Sequence, residues 1–174
     1  MRKPKIKRIE AVLILFIKDK QFNPITEKWK EGEVLLGEKI NGSVSGWVMP
    51  PGGHVEDFDI GFTSAGHREG FEETGLKALG SYEIAQIRVR IKSKRRTITV
   101  HVISCYDWAG NLKNKSKEFK WLKFIPISKI PWEKFPKGEE VWFKRALNGK
   151  KSLVTTLCGK NRKDIITTRT RTMA

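Results

Sequence analysis

The sequence predicts an α+β fold, a mixed β-sheet enclosed in an α/β/α sandwich, and three observations carry that reading. Short runs of branched and aromatic residues such as VLILFI and TVHVI recur along the chain, each the length of a strand. Helical spacing shows in two segments, near residues 63–75 and 139–147. Those two helices do not alternate regularly with the strands, so the βαβ rhythm of a doubly wound parallel sheet is missing. At 174 residues the chain has the length of one domain, 1–174, with enough apolar and aromatic side chains for a proper core.

Each element follows from its local pattern. Residues 9–17 carry branched side chains in alternation and read as a buried first strand. Residues 18–32 are polar, include Pro24 and Trp29, and read as a loop. Residues 33–39, with VLLG at the centre, form a short strand, and NGSVSG at 41–46 a turn-rich link. Residues 47–49 lead into the Pro-Pro-Gly-Gly turn at 50–53. The first helix is expected to begin at Thr63 or Ser64, either of which has the side-chain oxygen of an N-cap, and to stop at Gly75. Two alternating strands at 82–91 and 97–106 are joined by the basic turn KSKRR. Residues 119–126 form another strand, PISKIPW a proline-punctuated turn, and 139–147 a second helix with Trp142 and Phe143 toward the core. Residues 152–157 and 165–170 close the chain as a hairpin around GKNRK.

Lysine and arginine number 35 against 19 acids, a formal net charge of +16. That charge attracts polyanions, whether nucleotides, RNA, DNA or an anionic membrane, without choosing among them. The chain contains no run of 18 apolar residues, so no transmembrane helix and no membrane association is expected. The N-terminus is basic and then apolar, but no small-residue cleavage site of a signal peptide follows. Cys105 and Cys158 lack metal-ligand spacing and read as reduced core thiols, which suits a cytoplasmic location. His54, His67 and His101 share no ligand spacing either and read as structural.

The segment from Gly53 to Leu76, GHVEDFDIGFTSAGHREGFEETGL, is the most informative. Glu69, Glu72 and Glu73 stand at i, i+3 and i+4, on one face of a helix. Like charges so placed cost roughly 0.2–0.5 kcal/mol per pair. So basic a chain has little reason to crowd three acids unless a cation binds there. An oxygen-only carboxylate cluster suits Mg²⁺ or Mn²⁺ rather than zinc.

This segment resembles the Nudix box, G-x5-E-x7-R-E-U-x-E-E-x-G-U with U a bulky aliphatic residue. Gly53, Arg68, Glu69, Glu72, Glu73, Gly75 and Leu76 match it in type and order, after the Pro51-Gly52-Gly53 turn common in that family. Two positions depart from the pattern. One extra residue lies between Gly53 and Arg68, so the first acid of the box falls on Asp59 or, counted back from Arg68, on Ile60. Gly70 takes a bulky aliphatic place, which costs about 1 kcal/mol of helix propensity and leaves core volume for neighbours to fill. Outside the box the chain is most similar to the oxidised-purine nucleoside triphosphatase (8-oxo-dGTP diphosphatase) branch. VLLGEK, TVHVI, the IPW…VWF region and the closing pair SLVTTL and DIITTRTR have counterparts there in the same order.

The resemblance implies a Nudix fold and a metal site of Glu69, Glu72 and Glu73, completed by the Gly53 carbonyl and the distal acid Glu118. Mg²⁺ is the implied ion, with Mn²⁺ its substitute. Glu69 is either a ligand or the base that orients water, and Arg68 pairs with a glutamate and fixes its rotamer. Lys39 would face the nucleotide. The branch places an aromatic residue, a proline and two aspartates before its W-F pair, and an asparagine after the entry-strand tryptophan. This chain has FPKGEE at 135–140 and Val48 after Trp47, which leaves Trp47, Phe135 and Glu139 or Glu140 as base contacts. Phe135 and Trp132 are also of the kind that cap a core beside a proline turn.

The leading expectation is Mg²⁺-dependent hydrolysis of a nucleoside triphosphate, with 8-oxo-dGTP a candidate, to the monophosphate and pyrophosphate. An RNA 5′-pyrophosphohydrolase or decapping-type enzyme is the alternative favoured by the +16 charge. A nucleic-acid-binding module without catalysis is the third reading, and the three intact acids oppose it.

Overall fold

Among the described residues one sheet of eight strands organises the fold, with two α-helices on opposite faces. The computed structural model describes residues 7–19, 21–23 and 28–173. In chain order the strands are β1 (Lys7–Lys18), β2 (Gln21–Asn23), β3 (Lys28–Lys30), β4 (Glu33–Lys39) and β5 (Val48–Met49). Helix α1 (Phe62–Thr74) precedes β6 (Lys77–Ile91), β7 (Arg96–Ala109) and β8 (Phe119–Pro126). Helix α2 (Glu140–Leu147) then leads to β9 (Ser152–Cys158) and β10 (Ile165–Thr172). Spatial order is β10-β9-β6-β7-β1-β4-β5, with β8 also paired to β4, and the sheet is mixed. The β1/β7 and β6/β9 pairs are parallel, while β6/β7, β9/β10, β1/β4, β4/β5 and β4/β8 are antiparallel.

Side-chain alternation along β1 shows how the layers form. Leu13 and Leu15 face the larger core, which Ile84, Ile87, Val102, Val154 and the α2 residues Trp142, Phe143 and Ala146 fill. Ile14 and Phe16 face the other side, where Leu35, Leu76, Ile103 and Cys105 gather beneath α1. Gly70 is where that layer closes. A Cβ there would stand 3.1 Å from both Ile14 Cγ2 and Phe16 Cζ, so those two side chains fill the volume that the missing aliphatic residue leaves.

Several expectations change. Residues 18–32 are not a plain loop, because β2 and β3 pair as a two-stranded sheet within them; Pro24 lies outside the described residues. α1 starts before Thr63 and Ser64, with Gly61 at φ +98° as its cap and no side-chain cap bond. The ring of Phe62 stacks on His101 at 3.4 Å, which ties the helix start to the sheet. Gly75 ends the helix as read, at φ +78° with its N–H on the Phe71 carbonyl at 2.8 Å. β6 and β7 run longer than 82–91 and 97–106, because pairing continues past register shifts at Ala78/Gly80 and Gly80/Ser81 to Lys77 and Ala109. Both cysteines are free and buried, and burial raises their thiols above the ordinary range. Among the described residues no helix is long and apolar enough to cross a membrane.

Candidate active site

The turn at Gly52 and Gly53 is locked to α1 by one glutamate. Glu73, 6 % exposed, accepts the Gly52 N–H at 2.7 Å on Oε2 and the Lys39 ammonium at 2.9 Å on Oε1. Only glycine fits at 52: φ is +155° and a Cβ would meet the Val12 carbonyl oxygen at 2.1 Å. Gly53 is constrained differently, since a Cβ would stand 2.5 Å from the Glu69 carboxyl group. The Gly53 carbonyl accepts the Val12 N–H at 2.9 Å, which leaves one of its two lone pairs for another partner.

Arg68 is the second organiser. Its Nε and Nη2 reach Asp59 Oδ1 and Oδ2 at 3.0 and 2.9 Å, Nη2 also donates to the His54 carbonyl, and Nη1 reaches Glu69 at 2.9 Å and Glu72 at 3.5 Å. The first acid of the box thus falls on Asp59, not Ile60, which is 95 % exposed. Asp59 serves the arginine: the guanidinium holds its carboxyl below the usual carboxylate range and itself stays charged. Arg68 pairs with a glutamate as the sequence suggested, and the 54–61 loop is anchored with it.

Glu69, Glu72, Glu73 and Glu118 line one cavity of about 500 Å³, together with Lys113, Ser116 and Lys117. Burial raises the Glu69 carboxyl and pushes Glu73 up to about 7, against the opposing pull of Lys39 and the Gly52 N–H. Lys39 does not stand free to face a ligand. Its Nζ bridges Glu73 and Glu118 at 2.9 and 2.8 Å, over the ring of Phe119 at 4.2 Å. Among the described residues no three His, Cys, Asp or Glu side chains converge closely enough to hold a metal ion as they stand. The donor set is nonetheless oxygen-only and anionic, and the Gly53 approach to Glu69 excludes a Cβ, which fits a hard divalent cation. Lys113, Ser116 and Lys117 escape the sequence reading. Their one trace is the KNKS turn, where the Ser116 hydroxyl accepts the Glu118 and Phe119 N–H groups.

The expected base contacts separate into two outcomes. Phe135 is buried in the core against Trp132 and Phe143, with ring centroids 5.1 Å away in both cases, so its face is not available to stack a base. Trp47 is half-buried beside Lys39, whose N–H donates to the Trp47 carbonyl at 2.9 Å. Arg162 lies 6.0 Å from the Trp47 ring centroid and also acts on Glu139. Burial pushes the Glu139 carboxyl up to about 7, and Arg162 draws it down in part. Glu140 points elsewhere, to Lys144.

The model of the NUDIX domain matches residues 11–146. A mutator MutT protein from Bacillus halodurans superposes with a TM-score of 0.75 at 16 % identity, over 93 % of this chain and 97 % of that one. A MutT protein from Methanosarcina mazei Go1 does so at 0.62 and 20 % identity, covering 82 % and 95 %. The NUDIX domain of NrtR from Shewanella oneidensis, solved with ADP-ribose, gives 0.65 at 12 % identity, covering 81 % and 87 %. No curated protein matches the chain in sequence.

Proposed function

The chain belongs to the NUDIX domain family and is a Nudix hydrolase, and within that family we propose that it cleaves nucleoside triphosphates, with Mg²⁺, to the monophosphate and pyrophosphate. One observation carries the reading: four carboxylates, Glu69, Glu72, Glu73 and Glu118, line a single cavity whose floor is pinned by Glu73 to the Gly52 N–H. Glu69, Glu72, Glu73 and Glu118, with the free lone pair of the Gly53 carbonyl, would hold the ion. A bound divalent cation supplies activation of water and neutralisation of phosphate charge.

The chain's own residues do the rest by position and charge. Arg68, clamped by Asp59 and His54, fixes Glu69 beside the Gly53 backbone. Lys39 bridges Glu73 and Glu118; were those oxygens to hold the ion, its ammonium would be left to donate to phosphate oxygens. Lys113 and Lys117 bring positive charge to the same cavity, suited to a polyphosphate. Trp47 with Glu139 and Arg162 supports recognition of a purine, with oxidised purines such as 8-oxo-dGTP among the candidates. Burial pushes the Glu139 carboxyl up to about 7, which favours the protonated form that would donate a hydrogen bond to a base carbonyl.

The test is a turnover panel with Mg²⁺ across the dNTPs, 8-oxo-dGTP, 2-oxo-dATP, ADP-ribose and triphosphorylated RNA, with pyrophosphate and phosphate measured separately. Pyrophosphate release from one or a few nucleotides supports the proposal. Equal rates throughout, or phosphate alone from RNA ends, would overturn it.

A further inference from the structure

The face of the sheet on which α1 packs is covered at one end only. Cover stops at the row where Phe62 stacks on His101. Beyond it, register sets out two open rows. Arg169 pairs with Thr155, Thr155 with Arg88, and Arg88 with Thr99. In the next row Thr167 pairs with Leu157, Leu157 with Arg90, Arg90 with Thr97, and Thr97 with Arg8. Paired residues project to one side of a sheet, and the neighbours Ile87, Val89 and Val154 are buried on the other. Arg88, Arg90 and Arg169 lie on these rows, and Arg171 stands at the β10 end of the His101 row, opposite Leu153. All four are exposed, and none of their side chains has a carboxylate or hydrogen-bond partner among the described residues.

Among the described residues the acid on these rows is Glu10, and Glu83 stands at their border; His101 holds both, at 3.2 and 2.7 Å. Leu153, Thr155, Arg169 and Arg171 line a trough of about 240 Å³ along the β9–β10 edge. Arginines two residues apart on a strand stand ~7 Å apart, and those on β6 and β10, with β9 between, ~10 Å apart. The result is a flat grid of unpaired guanidiniums separated by threonine hydroxyls. Guanidinium forks suit phosphate oxygens, and hydroxyls suit phosphate or a ribose 2′-OH. No aromatic side chain lies on the two rows, so contact is to the backbone rather than to stacked bases, and their one apolar member, the half-buried Leu157, is too little to anchor in a membrane surface.

We propose that this half-face binds the phosphodiester backbone of single-stranded RNA, independently of the acid-lined cavity. Binding is then driven by charge, tolerant of sequence and steeply dependent on salt. It gives the enzyme a second contact with polyanions that free-nucleotide hydrolysis does not use.

The probe is a labelled 20-nucleotide oligouridine with a 5′-hydroxyl, titrated by anisotropy in EDTA from 50 to 200 mM salt. With no triphosphate and no metal, a failure of the hydrolase reading leaves this test untouched. Arg88→Gln, Arg90→Gln, Arg169→Gln and Arg171→Gln together should weaken binding roughly 100-fold at 100 mM salt and flatten the log–log salt slope by about 3, four contacts at ~0.7 each. The four Arg→Lys changes should keep most of the slope, and free-nucleotide turnover should be unchanged in both sets. Lys129→Gln, Lys137→Gln, Lys144→Gln and Lys150→Gln remove the same charge elsewhere and should have little effect. If the four-fold glutamine variant does not fold, Arg169→Gln with Arg171→Gln on the edge strand should still flatten the slope by about 1.4. Equal losses in the arginine and lysine sets overturn the proposal, as does a wild-type protein that binds phosphatidylserine vesicles but not the RNA.

Discussion

Replacing Glu139 by Gln isolates the energetics of the buried acid beside Arg162. The native carboxyl is pushed up to about 7 from 4.5, so the folded protein keeps this proton where the unfolded chain has released it. Below pH 4.5 both states are protonated and burial costs nothing through charge. Between 4.5 and about 7 the native state binds more protons, so stability falls as pH rises, and above 7 the full cost remains. At about 1.4 kcal/mol per tenfold change in affinity for the proton, that cost is roughly 3 kcal/mol. The glutamine keeps shape and loses the ionisation. Urea unfolding of wild type and Glu139→Gln at half-unit steps from pH 4.5 to 8.5 should therefore diverge, the variant gaining roughly 3 kcal/mol relative to wild type across the range. Parallel curves would refute the reasoning, because they would mean that Glu139 ionises in the fold as easily as in the open chain.

Other perturbations address the site directly. Gly53→Ala places a Cβ where the Glu69 carboxyl stands at 2.5 Å, and the displaced carboxylate should lower kcat about 100-fold with little change in the melting temperature; unchanged kcat would contradict the close approach. Arg68→Lys retains charge but loses the fork on Asp59, so it should lose on the order of 2 kcal/mol in chemical denaturation and lower kcat through Glu69. Gly70→Leu drives a large side chain into contacts already at 3.1 Å with Ile14 and Phe16, and should cost about 1–3 kcal/mol by thermal unfolding, although the family pattern favours an aliphatic residue there.

The strands at Glu33–Lys39 and Phe119–Pro126 are legible to the residue, because the turn-rich NGSVSG link follows the first and the proline-punctuated PISKIPW turn closes the second. β6 was not, since its first residues Lys77–Ser81 include exposed Leu79 and a bulge at Gly80 and so show no clean alternation. The helix start escaped because a stack between Phe62 and His101 replaces a polar cap, a tertiary contact with no local signal. Glu69, Glu72 and Glu73 line one cavity, as the i, i+3, i+4 spacing that a helix enforces requires. What spacing could not supply is partnership across the fold. Lys39 belongs to Glu73 and Glu118, and Asp59 to Arg68, through contacts 34, 79 and 9 residues apart in sequence. The burial of Phe135 is equally illegible in sequence, because its packing against Phe143 depends on where α2 docks.

The central claim is that Glu73, wedged between Lys39 and the Gly52 N–H, belongs to a carboxylate set that serves Mg²⁺-dependent phosphoanhydride cleavage. The most direct measurement is initial-rate pyrophosphate release from a nucleoside triphosphate by wild type and Glu73→Gln across a Mg²⁺ titration, with folding verified by circular dichroism. The account predicts wild-type release that vanishes in EDTA and saturates with Mg²⁺, and a folded variant slower by at least ~100-fold at every Mg²⁺ concentration. Release that persists in EDTA, or a variant as fast as wild type, would contradict it.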